Sequence, residues 1–411
     1  MKIIHTSDWH LGKTLEGFSR LEEQEEFIEE FIELVDKQQA NMVIIAGDIY
    51  DNSNPPAKAE VLFYNTLKRL SKQGERIVLV VAGNHDNPER LEAVAPLAKD
   101  HGIIILGTPK SSAELGAYGR FEIIDGGEGY VEVEINEEKA VIITLPYPSE
   151  KRLEEILTEE LDEVERQKSY SERVGEIFER LSDRYREDTI NLAVSHLFLM
   201  GGENTDSERP IQLGGSYTVE LNKLPKKSQY VALGHLHKTQ RFNIEGVPVV
   251  YSGSPIQYSK NERNNSNCVY VVEVKPGEAA KVDKLYLRNY KPIEVWKCTS
   301  IEDAIERCKE FSEKTMWVYI EIKTDRVLLQ EEIKEMKRLK KDIIEIRPDI
   351  AGLECAMDIE YESLTEKSME EVFKEFYKKE RTIEPTEELA NLFLSIVNEE
   401  EEAMEDEAKE A

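Results

Sequence analysis

Ile77-Val-Leu-Val-Val-Ala-Gly-Asn-His-Asp86 is a short apolar run, rich in β-branched residues, that breaks into polar chemistry at its end. Such a run reads as a strand buried on both faces. The same arrangement recurs along the chain. Lys2–Ser7 leads into Asp8-Trp9-His10, and Met42–Ala46 into Gly47-Asp48. Leu192–Ser195 leads into His196, and Tyr230–Leu233 into Gly234-His235-Leu236-His237. Helical patterns over Leu21–Val35 and Ala57–Leu70 separate the first three runs. Strands that alternate with helices imply a parallel sheet, and open α/β sheets bind ligands at the carboxyl ends of their strands. All five polar clusters lie at such ends, so the pattern predicts that they converge in space.

The clusters hold most of the histidine in the chain: His10, His85, His196, His235 and His237, out of seven. With Asp8, Asp48 and Asn84 they supply enough nitrogen and oxygen donors for two divalent metals. Carboxylate, imidazole and amide oxygen together suit Mn²⁺, with Fe²⁺ or Zn²⁺ as alternatives. Two metals about 3.5–4 Å apart clamp a phosphoryl group. Asp48 stands alone at its strand end and is the candidate bridge between them. Asp8 and His10 lie two apart on an extended segment, so both can face one metal. His235 and His237 have the same spacing. If Asn84 binds through its amide oxygen, His85 is left beside the metals to protonate or stabilise a leaving oxygen. Asp51 or Asp86 is then the candidate to orient His85. Each motif alone has an ordinary reading, since an Asp at a strand end often caps a helix and a lone His is more often a core residue. The ordered set of five points to a metallophosphoesterase site.

A chain of 411 residues should form two or three domains. The expected division is 1–288 for the metal motifs, 289–355 for a small α/β capping unit and 356–411 for a helix–loop–helix with an acidic tail. Beyond Ile105 the strands alternate, so a second sheet should face the first, giving an α/β fold built as a four-layer α/β/β/α sandwich. Glu150–Arg186 is polar and helical and reads as a surface excursion. In the small unit Ile293–Trp296, Trp317–Ile322 and Ile343–Ile346 read as strands, with a helix over Ile301–Phe311. In the last segment Thr386 is a candidate N-cap. Phe373, Phe376, Leu392 and Phe393 lie on apolar stripes that either pack together or offer a groove to a partner helix.

Composition sets the outer limits. With 40% hydrophobic and 33% charged residues the chain can bury a core. No run approaches the length of a transmembrane helix, and the first strand begins too early for a signal peptide. Cys268, Cys298, Cys308 and Cys355 avoid the metal motifs and suit free thiols in a reducing cytoplasm. The net charge of −30 opposes a nucleic-acid partner unless a local basic groove, a partner protein or the metals themselves offset it. Lys13, Arg20, Lys260 and Arg263, in loops beside the motifs, are the candidate phosphate contacts.

The motif set resembles the calcineurin-like phosphoesterase superfamily. Its longer strings resemble the SbcD family of nuclease subunits: His5-Thr-Ser-Asp-Trp-His-Leu-Gly12, Arg20-Leu-Glu-Glu-Gln24, Gly83-Asn-His-Asp-Asn-Pro-Glu-Arg-Leu91, Val231-Ala-Leu-Gly-His-Leu-His237 and Tyr251-Ser-Gly-Ser-Pro255. The resemblance covers the whole chain, most strongly its first 260 residues or so. It implies Mn²⁺-dependent 3′→5′ exonuclease action on double-stranded DNA and endonuclease action on single strands or hairpins, in double-strand break repair and recombination. It implies that Asp8, His10, Asp48 and His237 hold one metal, that Asp48, Asn84, His196 and His235 hold the other, and that His85 acts near the leaving group. Where Asp51 stands, some relatives carry His. It further implies a cytoplasmic homodimer whose C-terminal helices bind the coiled-coil base of the SbcC ATPase, forming a heterotetramer. Two rival readings fit the same motifs. One is a phosphodiesterase or phosphatase acting on a small or protein substrate, for which the capping unit and terminal helices would be superfluous. The other is a scaffold with a vestigial site, against which the complete ligand set argues.

Overall fold

The apolar runs do form strands, and burial explains their composition. Met42–Ala46 and Ile77–Val81 are buried at every position, so neither face tolerates a polar residue. In this computed structural model the described residues are 1–149, 152–153, 170–205, 208, 217–350 and, singly, Phe373, Tyr377, Thr386 and Leu389.

The first sheet has six strands, in the order Lys281–Tyr286, Cys268–Glu273, Lys2–Thr6, Met42–Ala46, Ile77–Val81 and Ile103–Leu106. The last four are mutually parallel, and the first two add antiparallel to one side. The second sheet has eight strands. A parallel centre of Val247–Tyr251, Tyr230–Gly234, Ile190–His196 and Glu138–Leu145 is flanked by antiparallel strands.

Strand alternation divides the core into layers. Ile3, Met42, Ile44 and Leu79 from the first sheet meet Val133, Ile142, Leu192 and Ala232 from the second. On the other face of the first sheet, Ile4, Val43, Ile45 and Val80 meet Phe27, Phe31, Phe63 and Leu67. These come from the helices Leu21–Gln38 and Ala57–Ser71. The outer face of the second sheet carries Ile143, Ala193, Val231 and Leu233 against Val174, Ile177 and Phe178. This is the expected α/β/β/α sandwich. One expectation changes. The helix Tyr170–Ser182, read from sequence as part of a surface excursion, supplies that outer layer. Glu172, Glu176, Glu179 and Arg180 face out while Val174, Ile177 and Phe178 recur at helical spacing, which a count of charge alone hides. Residues 154–169 of that excursion lie outside the described residues.

Trp9 anchors the first motif. Its ring is fully buried, edge-on to Phe27, Phe31 and Phe63 at centroid distances of 5.5, 5.7 and 6.1 Å, and its Nε1 donates to Thr6 Oγ1 at 3.0 Å. Replacing Trp9 by Ala should cost about 3–5 kcal/mol of stability, read from the denaturant midpoint. Unchanged stability would mean that the aromatic cluster does not hold the loop.

Contacts divide the chain into two compact units. One is Met1–Trp296 with Ser312–Tyr319 and Lys340–Glu345; the other is Lys297–Phe311, Ile320–Leu339 and the chain from Ile346. The strands Ile293–Cys298, Trp317–Thr324 and Ile343–Ile350 form a three-stranded sheet in that order. The helix Ile301–Glu310 is capped by Ser300, whose hydroxyl accepts from Asp303 N at 3.2 Å. A second helix, Gln330–Leu339, has no counterpart in the sequence reading, because only Met336 among its residues is buried and its apolar signal is weak. Cys268, Cys298 and Cys308 are buried free thiols. Of the terminal segment, Phe373 and Tyr377 lie a turn apart with ring centroids at 5.9 Å, and Thr386 Oγ1 accepts from Leu389 N at 3.3 Å as an N-cap does. Phe376, Leu392 and Phe393 lie outside the described residues. Among the described residues no helix is long and apolar enough to cross a membrane.

Candidate metal centre

The strand ends are stitched to one another before any side chain reaches the centre. Asp8 N donates to Gly47 O, and His10 N to Asp48 O, both at 3.0 Å. The Asp86 carboxylate accepts from Ile49 N, Tyr50 N and Gly83 N at 3.2, 3.0 and 2.8 Å, tying the second motif to the third. Asn87 then caps the short helix Pro88–Glu92, accepting from Arg90 N, with Pro88 at its first position.

The backbone at this centre is strained. Asp8, His10, Asp48 and His235 have φ of 55, 42, 51 and 112°, a region that side chains rarely occupy. An extended segment was expected to turn Asp8 and His10 the same way. Instead the strand ends at Thr6, and left-handed turns aim both residues while Trp9 goes into the core. The motif glycines allow close approach. A Cβ on Gly83 would lie 2.1 Å from Asp48 Oδ1, and one on Gly47 would lie 2.3 Å from His196 Nδ1.

Three groups of donor atoms result, each within 4.8 Å: Asp8, His10 and His237; Asp48, His196 and His235; and His10, Asp51 and His85. Asp48 Oδ2 lies between them, 3.6 Å from His10 Nε2, 3.5 Å from His196 Nε2 and 3.9 Å from His85 Nε2. Asn84 Oδ1 lies 3.0 Å from both His196 Nε2 and His235 Nδ1. Backbone contacts orient the rings. His196 Nδ1 donates to Ala46 O at 2.9 Å, which turns Nε2 inward. His85 Nδ1 donates to the main-chain carbonyl of Asp51 at 2.6 Å.

The arrangement fits divalent cations. His10 Nε2 and His237 Nε2 face each other at 2.9 Å, and His10 Nδ1 is buried with no hydrogen-bond partner among the described residues. Lone pairs that converge in this way need a cation or a shared proton. The electrostatics agree. Burial raises the Asp8 carboxyl to about 7, against the pull of His196 and His237. Burial opposes the charge on Asp48 too, but His196, His10 and His85 hold it well below the ordinary carboxylate range. Burial lowers His10 far below its usual value and His235 to about 3. His196 and His237 rise to about 9, because Asp48 beside the first and Glu262 beside the second outweigh burial. Cation binding must displace the protons these two hold.

Comparison with known proteins decides the lineage. Residues 1–239 match the model of the calcineurin-like phosphoesterases, and residues 289–381 match the Type 5 capsule protein repressor C-terminal domain. A protein named as the SbcD component of the SbcCD nuclease, from Bacillus subtilis (strain 168), is 39% identical over 98% of this chain and 100% of its own. The chain belongs to the SbcD family. A second SbcD relative, from Staphylococcus epidermidis, is 29% identical over 72% of each chain. A solved Vps29 structure from Entamoeba histolytica is 12% identical with a TM-score of 0.29, covering 70% of this chain and 99% of that one, too distant to add to the fold. As a member of the SbcD family the chain is a metal-dependent phosphodiesterase.

Against this SbcD lineage some sequence-based assignments change. Arg20 is not a surface cation. It is 1% exposed, its Nε and one Nη donate to Glu23, and the other Nη donates to Gln257 O at 2.6 Å. Buried, with three of its five N–H donors committed inside the protein, it is withdrawn from any surface phosphate. Lys13 is half-buried and pairs with Asp51 at 2.8 Å, and Lys260 sits 5.2 Å from the Tyr319 ring centre. The Arg263 side chain is exposed, with one Nη on Lys260 O. Asp51 orients His85 through its carbonyl and not through its carboxylate, which answers Lys13. Asp86 holds backbone and does not reach the His85 ring. Sequence reasoning missed Tyr258, Gln24, Glu208 and Glu262. Tyr258 lies under the site, edge-on to His10 and His237 at 5.5 and 6.0 Å, and Gln24 donates to His10 O at 2.8 Å. Nothing in the sequence separates Glu262 from the other 82 acidic residues (83 in all).

Proposed function

We propose that this chain is a two-metal DNA nuclease of the SbcCD type. In this reading it is a Mn²⁺-dependent 3′→5′ exonuclease on duplex DNA and an endonuclease on single-stranded or hairpin DNA. The observation that carries the proposal is the position of Asp48 Oδ2, within 3.6 Å of imidazole nitrogens from two separate donor clusters. Near full-length similarity to a relative named as part of a nuclease supports DNA as the substrate.

Asp8, His10, Asp48 and His237 would hold one cation, and Asp48, Asn84, His196 and His235 the other. Two cations there would neutralise phosphate charge and polarise the scissile bond. The chain's own residues do the rest. Buried strand ends fix the ligands, so little reorganisation accompanies reaction. His85 donates Nδ1–H to Asp51 O, which leaves Nε2 as the nitrogen that holds a proton for the leaving oxygen. Lys260 and Arg263 are the remaining candidates for phosphate contact beside the site, and Lys13 already pairs with Asp51. With so few cations, affinity should fall only gently with salt.

The expected division of labour is 1–288 for catalysis, 289–355 for positioning DNA and 356–411 for the SbcC-type ATPase, in an assembly with two copies of each chain acting in break repair and recombination. End-labelled duplex DNA with Mn²⁺ tests the chemistry. We expect shortening from 3′ ends, abolished by a chelator and stimulated by the ATPase with ATP. Hydrolysis of small phosphodiesters with no action on DNA would favour a small-substrate enzyme instead. Removing residues 365–411 should abolish binding to the ATPase in calorimetry while small-substrate hydrolysis persists. Full-affinity binding by the truncated chain would overturn the groove assignment.

A further inference from the structure

Glu262 lies outside every motif, yet it is fully buried beside the centre. It is carried on the single turn Lys260–Asn264. Its Oε1 accepts from His237 Nδ1 at 3.0 Å and lies 3.0 Å from Thr205 Oγ1, while Oε2 accepts from Tyr258 N at 2.6 Å. A second buried carboxylate, Glu208, accepts from the main-chain nitrogen of His237 at 2.9 Å and from Thr205 N and Oγ1 at 2.6 and 2.7 Å. His237 is therefore held twice, at its backbone and at its ring.

The ring contact has a chemical consequence. An ionised carboxylate has no proton to give, so Nδ1 of His237 must carry the hydrogen. Once a cation displaces the second proton of the ring, Nε2 presents its lone pair, and Nε2 is the atom that faces His10 Nε2 at 2.9 Å. We infer that Glu262 is a positioning residue of the metal centre: it fixes the tautomer and tilt of His237 so that Nε2 is available to a divalent cation. An acid in this relation to a ligand histidine also makes the imidazole more basic. The same carboxylate braces the backbone of Tyr258, whose ring lies against both His10 and His237. One side chain thus sets the geometry of the cluster that contains Asp8, and its hydrogen bonds to His237 and Tyr258 lie on that side of the centre.

The inference rests on the two-metal reading, and Mn²⁺ calorimetry on the full-length chain separates the two. Wild-type protein should show two binding events, one of which is weakened far more than the other in Asp8→Ala. Glu262→Gln keeps the size of the side chain and one acceptor for Tyr258 N, but it turns a donor or a neutral oxygen toward His237. It should weaken the Asp8-dependent event about 10–100-fold and leave the other unchanged. Its unfolding midpoint in chelator should stay near that of wild type. Glu262→Asp keeps the charge with a shorter reach, should fall between the two, and decides the matter if the glutamine variant does not fold. Equal Mn²⁺ affinity in wild type and both variants, or reduced stability in chelator with both binding events intact, would overturn the role and leave Glu262 as a brace for the turn. A wild-type chain that binds no Mn²⁺ would overturn the two-metal reading together with this inference.

Discussion

Asp48→Ala should abolish metal binding at both clusters at once and lower phosphodiester hydrolysis by about 10³-fold or more. The reason is geometric. Oδ2 lies 3.6 Å from His10 and 3.5 Å from His196, which places one oxygen within reach of both clusters. Losing charge stabilisation worth about 4 kcal/mol corresponds to about three decades in rate. Asp8 is different. It groups only with His10 and His237, so Asp8→Ala should weaken chiefly one metal, with a smaller effect on the other because Asp8 Oδ1 also accepts from His235 N at 2.9 Å. Elemental analysis after Mn²⁺ loading and dialysis gives the count directly. Two metals retained per Asp48→Ala chain would remove Asp48 from the bridge.

His85→Ala should do the opposite: keep the metals and lose the rate. Loss of a general acid typically costs about 10²–10⁴-fold. The competing role is real, since His85 groups with His10 and Asp51 and its ring lies edge-on to His10 at 4.6 Å. Metal counting on the same sample separates the two roles. Falling metal content makes His85 a ligand, whereas unchanged metal with a depressed rate keeps it at the leaving group. Asp51→Ala should cost much less than His85→Ala, because the group that accepts from His85 Nδ1 is a main-chain carbonyl that the substitution retains. A loss as large as that of His85→Ala would show that the carboxylate takes part.

The strands and the site histidines were legible because burial and chemistry each leave a local mark. A central parallel strand must be apolar on both faces, so Met42–Ala46 and Ile77–Val81 announce themselves. Polar clusters at their carboxyl ends follow from the same rule. The helix Tyr170–Ser182 was misplaced because its charged face dominates a short window while its buried face is spread over three turns. Arg20 was misread because a guanidinium buried by Glu23, Gln257 O and the rings of Tyr258 and Trp317 looks, in sequence, like any surface cation.

By itself, then, the sequence determined the α/β class, the order of the strand ends and which side chains are chemically able to hold a metal. These depend on residue type and on neighbours a few positions away. Only the tertiary structure decided which oxygen lies between the clusters, that positive-φ turns at Asp8, His10, Asp48 and His235 aim those side chains, and that Glu262 grips His237. Those facts arise where residues far apart in the chain meet within hydrogen-bond distance. Buried polar atoms must find partners wherever packing brings them, and residue type alone does not say which partner that will be.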